Sequence, residues 1–407
     1  MSDVLKRPVG LGLVLSCLAA TLVLGAAVKA PCATGDWSDG RQYRWLCYSD
    51  IEPLLGTEQL TGSRLPFIDA CAHPQGSTGE CDEYPVLSMY AMRLSDWASN
   101  TLPGFFWANA LLLSLCAAAV ALCLYLMAGP RALAFALAPT LLVYAFMNWD
   151  LLTVALATAA TLAYLDGRNA WSGALLGLGA AAKLYPALLV VPFLLGRFRE
   201  RDPDGGIHLA WAAAGTWIVV NVPFAIASFS SWWEFFRFNA HRPADWDSLW
   251  FIVHHRFSGD MFFDATTLLN VGSAVLFVGL SIAIYLARRA IDPDFPRWTF
   301  GFPLLVVFLL TSKVYSPQYG LWLLPWFVLA LPDLRLFAAF EIADVAVFVT
   351  RFSWFGRYAD LGGLPIGAFE VAVVVRAIIL IACLVSWVRA SRPAVEPAAL
   401  APSPALA

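Results

Sequence analysis

Long apolar segments recur along the whole chain, separated by short polar connections. A helix that crosses the hydrocarbon core of a bilayer needs about 20 predominantly apolar residues. The pattern therefore predicts an all-α membrane protein that crosses the bilayer about twelve times. The short segments 185–196 and 298–312 are the two that could be re-entrant or could merge with a neighbour. The predicted spans are roughly 9–29, 102–128, 131–147, 150–165, 170–183, 185–196, 207–228, 264–287, 298–312, 317–332, 334–350 and 365–388.

Composition supports a membrane location. Of the 407 residues, 60% are hydrophobic and only 14% are charged, whereas soluble domains carry roughly 25% charged residues. The chain has 17 Trp and 28 Phe, as expected when aromatic rings anchor at both bilayer interfaces. The formal net charge of -3 gives no indication of nucleic-acid binding.

The first apolar segment has two interpretations. Lys6 and Arg7 precede it, and the VKA sequence at its end resembles a signal-peptidase site, so it could be a cleaved signal peptide. However, the apolar stretch is long for a signal peptide, and Pro31 would directly follow the cut. We therefore favour an uncleaved anchor.

Loop charges predict the orientation. With the N-terminus inside, the inner connections carry more Lys and Arg than acidic residues, while the outer side carries an excess of acids. Residues 30–100 and 229–263 then form two large outer loops. We expect a single membrane domain over residues 1–390, a disordered cytoplasmic tail over 391–407, and a functional site on the extracytoplasmic face of the cell membrane.

Cysteines give independent support for this orientation. Of the eight cysteines, four fall in the first outer loop, and an even number there fits disulfides in an oxidising compartment. Three pairings are possible, and four free thiols are the alternative. Cys32–Cys47 and Cys71–Cys81 close the shortest loops, so we favour that pairing.

Two further stretches have a predicted structural role. GALLGLG at 173–179 is a pattern of small residues typical of packed membrane helices. The end of the first outer loop has helical apolar spacing, and we expect an amphipathic helix along the membrane surface. The apolar positions of that helix are Val86, Leu87, Tyr90, Leu94 and Trp97.

The sequence contains none of the common cofactor motifs. Five His are scattered, no Cys pair has zinc spacing, and there is no Walker loop or dinucleotide fingerprint. We therefore expect neither a metal nor another cofactor.

Polar residues cluster instead at the predicted outer ends of the spans. Each has an ordinary explanation: Asp150 could cap a helix, and Lys183 could reach the lipid headgroups. Lys183 and Lys313 share a Lys-x-Tyr context on the side that the positive-inside rule disfavours, which suggests an anion such as a lipid-linked phosphate. The cluster comprises Asp50, Asn148, Asp150, Lys183, Tyr185, His241, Arg242, Asp245, Asp247, Lys313, Tyr315, Gln318, Arg351 and Arg357.

Several of these residues lie in motifs that resemble glycosyltransferase family 87. The resemblance consists of an outer-loop Asp after the first span, the Tyr84-Pro85 pair, the stretch NWDLLTVALATAATLAYLDGRN, and SPQYGLWLLPW. This family includes actinobacterial polyprenol-phosphate-mannose-dependent mannosyltransferases. The sequence departs from the family in lacking a second Pro after Tyr84-Pro85, and in its longer, Cys-rich first loop.

The resemblance implies a GT-C type fold and an inverting glycosyltransferase. The donor would be a sugar, with mannose expected, on a polyprenyl phosphate, and the acceptor a cell-envelope glycolipid or glycan. An outer-loop carboxylate would be the general base, and Asp50, followed by Ile51, matches it, with Asp150 as second choice. We expect Lys183, His241, Arg242 and Lys313 to bind the donor phosphate, and Tyr185, Asp245, Asp247 and Gln318 to bind sugar.

Two other functions are consistent with the pattern. A transporter or lipid-linked-sugar flippase would have internal repeats and charges near the midplane; no repeat is visible, although Glu341, Asp344, Glu370 and Arg376 lie within predicted spans. We expect Arg376 to pair with one of these acids. A catalytically silent assembly factor is the third alternative, and the outer polar cluster argues against it.

Overall fold

The fold is known from a computed structural model that describes residues 10–71, 81–99, 101–331 and 333–390. Within these ranges the secondary structure is helical and contains no strand, so the all-α prediction is confirmed. The predicted disordered tail, 391–407, lies outside the described residues, as do Lys6 and Arg7.

The described part of the chain forms eighteen α-helices, joined in places by single 3-10 turns. Their bounds are α1 Leu11–Lys29, α2 Arg41–Arg44, α3 Ile51–Thr57, α4 Val86–Ala98, α5 Leu102–Ala128, α6 Ala132–Ala136, α7 Pro139–Tyr144, α8 Asp150–Leu165, α9 Asn169–Ala182, α10 Pro186–Arg199, α11 Pro203–Ala227, α12 Phe229–His241, α13 Leu249–Ser258, α14 Thr266–Ile291, α15 Gly301–Thr311, α16 Gly320–Leu329, α17 Leu334–Tyr358 and α18 Ile366–Arg389.

Among the described residues, five helical segments are long and apolar enough to cross a membrane. Shorter apolar helices, such as Asp150–Leu165 and Arg297–Thr311, lie between them. The chain is thus a membrane protein, while the expected number of about twelve crossings stays a prediction. The five segments are Leu11–Cys32, Leu102–Ala136, Pro203–Ala227, Thr266–Ile291 and Ile366–Arg389.

Some predicted spans are replaced by short helices. The segment 131–147 is divided between α6 and α7, and Pro139 begins α7 because proline lacks the N–H that a continuous helix would need. α16 has only 10 residues, all of them buried. A helix of that length spans about 15 Å, half of the hydrocarbon core, so it packs inside the bundle rather than crossing alone.

The first helix is an integral part of the bundle. α1 packs against α5, α6 and α7. The buried Thr21 hydroxyl donates to the Ala136 carbonyl at 2.7 Å. Gly25 lies so close to α7 that an added Cβ would come within 2.6 Å of the Leu142 oxygen. The uncleaved anchor stays a prediction, and these contacts show how α1 packs in the full chain.

Small residues bring α9 and α11 together, as GALLGLG predicted. A Cβ added to Gly173 would lie 2.1 Å from the Leu209 carbonyl oxygen, and one added to Gly177 would lie 2.4 Å from that of Ala213. Both glycines are therefore required for the close helix approach. Since α9 ends directly before Lys183, this packing also places that lysine.

The helix expected at the end of the first outer loop is present as α4. Leu94 and Trp97 are exposed, at 56% and 60%. The buried side includes Arg93, which donates to the carbonyls of Leu60 and Gly62 and so takes a core position that periodicity alone assigns to apolar residues. Whether α4 lies along the membrane surface stays a prediction.

Both favoured disulfides are confirmed. Cys32 is bonded to Cys47, and Cys71 to Cys81. The first bond ties the end of α1 to the segment directly before Tyr48. The second closes the far part of the first outer loop.

The charged residues inside the predicted spans are held by partners. Arg376 Nη1 lies 2.9 Å from Asp344 Oδ1, which confirms the expected pairing. Glu341 accepts the Thr140 N–H at 2.7 Å. Glu370 is paired with His255 and Arg256 at 2.6 Å each.

Candidate active site

One cavity is lined by half of the clustered polar residues. Its volume is about 390 Å³, and its walls come from the loop before α3, the turn after α7, the ends of α9 and α12, the loop after α15 and the last turns of α17. All these segments lie at helix ends predicted to face outside. The polar lining includes Tyr48, Asp50, Glu83, Asn148, Lys183, Arg242, Asp245, Ser316, Gln318 and Arg351.

Asp50 is held in this cavity by two side-chain hydrogen bonds. The Tyr48 hydroxyl donates to Oδ1 and the Asn148 amide donates to Oδ2, both at 2.9 Å. The Asp50 backbone N–H donates to the Met147 carbonyl at 2.8 Å. The carboxylate is therefore fixed both through its backbone and through its two oxygens, and each oxygen retains a lone pair for a substrate.

Asn148 is itself oriented by its neighbours. Its Oδ1 accepts the Trp149 backbone N–H at 2.6 Å, so its amide group turns toward Asp50 and the Tyr84 hydroxyl, to which it donates at 2.8 Å. Trp149 is locked in turn, since its indole N–H donates to Asn109 at 2.6 Å. The amide thus presents donors, not its oxygen, to the carboxylate.

Burial raises the pKa of Asp50 above its usual range. The hydrogen bonds from Asn148 and Tyr48 and the positive charges of Lys183 and Arg351 act in the opposite direction, because they stabilise the ionised carboxylate. A carboxylate with a raised pKa is a stronger base than a solvated one, which suits proton abstraction near neutral pH.

Lys183 lines the cavity while its charge is balanced from behind by Asp150. Its Nζ lies 2.7 Å from Asp150 Oδ1, and the same oxygen accepts the Trp322 indole N–H at 2.6 Å. The ammonium also lies 4.6 Å from the centroid of the Tyr319 ring. Asp150 is fully buried and lies outside the cavity lining, so this arrangement favours Asp50 over Asp150 as the base.

Arg242 lines the cavity without an acidic partner in the described parts of the chain. Its guanidinium lies 5.4 Å from the centroid of the Phe238 ring, and within those parts it donates no side-chain hydrogen bond. A guanidinium whose donors are free is well suited to a phosphate. Arg242 is therefore the cation most available to an anionic ligand.

Arg351 is a second arginine in the lining, and acids hold it firmly. It forms a buried ion pair with Asp247 and lies 3.5 Å from Asp245. Asp247 is fully buried outside the lining, whereas Asp245 reaches the cavity and accepts the Ser316 hydroxyl at 3.3 Å. The two acids predicted to bind sugar thus differ, because only Asp245 is in contact with the cavity.

Aromatic rings connect the Asp50 loop to α17. Tyr48 stacks on Phe352 with ring centroids 4.9 Å apart. Tyr43, from α2, stacks on Tyr48 and meets Phe355 edge-on. The loop that carries Asp50 is therefore packed against a helix from the other end of the sequence.

The profile of glycosyltransferase family 87 matches residues 84–317, more than half of the chain. The chain belongs to glycosyltransferase family 87. It is thus a membrane glycosyltransferase, and the family resemblance expected from the sequence is confirmed. Membership of an enzyme family argues against the transporter and assembly-factor alternatives.

The crystal structure of ArnT from Cupriavidus metallidurans bound to undecaprenyl phosphate is similar at a TM-score of 0.41 and 14% sequence identity, over 76% of this chain and 67% of that chain. No curated protein matches the chain.

Five of the ten residues predicted for the family 87 site line the cavity, and five do not. Those in the lining are Asp50, Lys183, Arg242, Asp245 and Gln318. Those outside it are Asp150, Tyr185, His241, Asp247 and Lys313.

Contacts with other parts of the protein explain why three of these residues lie outside the cavity. Tyr185 is buried against Trp322, with ring centroids 4.3 Å apart. His241 is exposed, and its Nδ1 lies 2.8 Å from the Arg237 carbonyl oxygen. Lys313 Nζ donates to the carbonyls of Ala240 and Arg242 at 3.0 and 2.9 Å, so in this structure it supports the segment that carries Arg242 instead of facing a ligand.

The cavity is also lined by residues that were not among the ten predicted for the site. Tyr48, Tyr84, Asn148 and Arg351 all contribute to it. The sequence near Tyr48 and Asn148 could have indicated that they belong to the site. Tyr48 lies two residues before Asp50, and Asn148 begins the Asn-Trp-Asp motif. Arg351 was among the polar residues expected at the outer helix ends, but its contact with the cavity depends on how α17 packs against distant loops.

Proposed function

We propose that the chain transfers a sugar from a polyprenyl-phosphate donor to a hydroxyl of a cell-envelope glycolipid or glycan, with inversion. One observation carries the proposal: Asp50, fixed by two donors, and Arg242, without an acidic partner among the described residues, line the same cavity. The first supplies a base and the second a site for a phosphate. Mannose is the proposed sugar because the resemblance to family 87 implies it.

The proposed reaction is a single displacement. Asp50 takes the proton of the acceptor hydroxyl as the acceptor oxygen attacks the anomeric carbon from the face opposite the phosphate. The bond between that carbon and the phosphate oxygen breaks, and polyprenyl phosphate leaves with the electron pair. Arg242 and Lys183 stabilise the negative charge that develops on the phosphate.

Other lining groups are proposed to bind the sugars. Asp245 and Gln318 offer polar atoms to sugar hydroxyls, and Trp246 offers a ring face. No step in this scheme requires a metal, because the phosphate ester is already an activated leaving group.

The site is proposed to act on the extracytoplasmic face. Its walls come from helix ends that the charge bias assigns to the outer side, and the Asp50 loop is braced by a disulfide. We also propose that residues 1–390 form one domain, since a large buried core extends from Val14 on α1 to Trp387 on α18, with a smaller buried cluster around Phe251 and Phe369.

A transfer assay with purified protein tests the function. The protein in detergent would receive radiolabelled polyprenyl-phosphate mannose and a glycolipid extract, with matched glucose and arabinose donors in parallel. We expect Asp50→Asn to lower the rate of transfer by about 10²–10⁴-fold while donor binding persists. Asp39→Asn, an exposed acid in the same outer loop, is the control and should retain transfer.

Three results would contradict parts of the proposed mechanism. Full transfer by Asp50→Asn would contradict the assigned base and make Asp150 the next variant to test. Retention of anomeric configuration in the product would contradict a single displacement. Unchanged donor affinity in Arg242→Gln would remove that residue from the phosphate site.

A further inference from the structure

Lys29, the last residue of α1, is a buried cation without a role in the proposed reaction. Its side chain is fully buried, and Nζ donates to the Tyr48 main-chain carbonyl at 2.5 Å. The ammonium also lies 4.9 Å from the centroid of the Phe348 ring. Tyr48 is the residue whose hydroxyl donates to Asp50, so Lys29 contacts the backbone of a group that touches the base.

The charge of Lys29 is not neutralised by a close ion pair. Within the described ranges, no carboxylate oxygen lies within 4.0 Å of Nζ. The acids that act on it from farther away are Glu52 and Asp50. Burying an ammonium without a close partner is costly, so such a residue in a membrane protein marks a functional position.

Glu52 is a buried acid near Lys29 that does not line the cavity. Asp50, Pro53 and Leu54 line the cavity, but Glu52 does not, and only 3% of its surface is exposed. Neither of its carboxylate oxygens accepts a hydrogen bond of full geometry from a described residue. Burial raises the pKa of Glu52 to about 7, while its own backbone N–H, the nearby Ser49 hydroxyl and the positive charge of Lys29 act in the opposite direction.

We infer that Lys29 is a positioning residue for the base: it holds the Tyr48–Asp50 segment from behind and adds a positive charge that favours the ionised form of Asp50. This inference rests on the proposed function of Asp50. It extends the active site to the first membrane helix, which the family profile match at 84–317 does not include.

The other groups around Asp50 limit what Lys29 can contribute. Tyr48 and Asn148 donate hydrogen bonds to the carboxylate, and Lys183 and Arg351 add positive charge from the cavity side. Lys29 and Glu52 are the charged groups on the opposite side. Removing Lys29 should therefore shift the ionisation of Asp50 while leaving the phosphate-binding cations in place.

The test is the pH profile of transfer by the full-length protein, using the polyprenyl-phosphate mannose assay. In Lys29→Met we expect the acid limb of kcat to move to higher pH by at least about 0.5 unit, since removing a nearby cation favours the protonated carboxyl. Donor KM should change less than twofold. Glu52→Gln is the matched control in the same buried pocket, and its acid limb should stay in place or move to lower pH.

If Lys29 had a purely structural role, Lys29→Met would lower kcat without moving the acid limb of the pH profile to higher pH. An unshifted acid limb in folded Lys29→Met, or an upward shift in Glu52→Gln of equal size, would overturn the inference. If Lys29→Met fails to fold because Glu52 is left uncompensated, Lys29→Met/Glu52→Gln replaces it, and its acid limb is expected at higher pH than that of Glu52→Gln alone.

Asp50→Asn in the same assay separates the two proposals. If that variant loses transfer and Lys29→Met keeps the wild-type acid limb, only the role of Lys29 is overturned. If Asp50→Asn keeps wild-type transfer, the proposed base and the inference about Lys29 are both overturned.

Discussion

Lys183 Nζ lies 2.7 Å from the fully buried Asp150 Oδ1, on the side of the lysine that faces away from the cavity. One lysine thus contributes to the cavity while its charge is balanced by an acid that no substrate in the cavity would touch. This relationship makes Asp150 the counter-ion of Lys183, and it supports the proposal that Asp50 is the carboxylate that takes the proton.

Removing that counter-ion should mainly destabilise the fold. We expect Asp150→Asn to lower the free energy of unfolding by about 3 kcal/mol, because it leaves a largely buried ammonium without its acid. The measurement is thermal unfolding in detergent. Asp150→Asn/Lys183→Met should recover part of the stability but not the affinity for the donor phosphate.

The control for this experiment is Asp166→Asn. Asp166 pairs with Arg168 at the surface, where the Arg side chain is 68% exposed, and such pairs contribute little to stability. Equal destabilisation by Asp166→Asn and Asp150→Asn would contradict the assigned importance of the buried pair.

Asn148 should set both the rate and the pH dependence of transfer. We expect Asn148→Ala to lower kcat roughly ten- to a hundredfold, since a hydrogen bond to a charged group contributes about 1.5–3 kcal/mol. Losing a donor to the ionised form raises the pKa of Asp50, so the acid limb of the profile should move to higher pH. The measurement is kcat against pH.

Tyr48→Phe removes the other hydrogen-bond donor to Asp50 and should also move the acid limb of kcat to higher pH. Tyr43→Phe is the control, because Tyr43 stacks on Tyr48 but its hydroxyl does not reach Asp50. A shift in Tyr43→Phe as large as in Tyr48→Phe would show that ring packing, not hydrogen bonding, sets the limb.

The two disulfides should differ in their effect on activity. Each closes a short loop, and removing either should cost about 2–3 kcal/mol of stability. Cys32→Ser/Cys47→Ser should also lower kcat, since Cys47 directly precedes Tyr48. Cys71→Ser/Cys81→Ser should keep kcat within a few-fold of wild type, and a loss of kcat equal to that of the first pair would contradict this distinction.

The packing of α9 against α11 gives a stability prediction. Gly177→Ala would place a Cβ 2.4 Å from the Ala213 carbonyl oxygen, and we expect it to destabilise the protein by about 1–3 kcal/mol. At Gly215, in the middle of α11, a Cβ would meet no atom within 4 Å. Gly215→Ala should therefore be neutral or stabilising by thermal unfolding, and similar losses in both variants would refute the close approach.

Much of the fold could be predicted because apolar periodicity and turn residues act locally. The bounds predicted for 102–128 are those of α5, and the shortest-loop pairing of the cysteines is confirmed. The division of 131–147 at Pro139 was missed, because the apolar composition continues through a residue that ends a helix by its geometry.

The site was harder to predict, since residue type does not determine where a side chain points. Arg242 and Lys313 are both cations at predicted outer helix ends, and only their contacts distinguish them. Lys313 is occupied by two carbonyls, while the side chain of Arg242 faces the cavity. These differences arise from tertiary packing between segments far apart in sequence, which no local pattern records.

The stacking of Tyr48 on Phe352 has a consequence for biosynthesis. The Asp50 loop leaves the ribosome early, whereas α17, which supplies Phe352 and Arg351, is among the last helices to be made. The helices are inserted in the order of translation. Asp50 therefore lacks its neighbours Phe352 and Arg351 until almost the whole chain has been inserted. An incomplete chain therefore holds no finished site, and transfer can begin only when synthesis is nearly over.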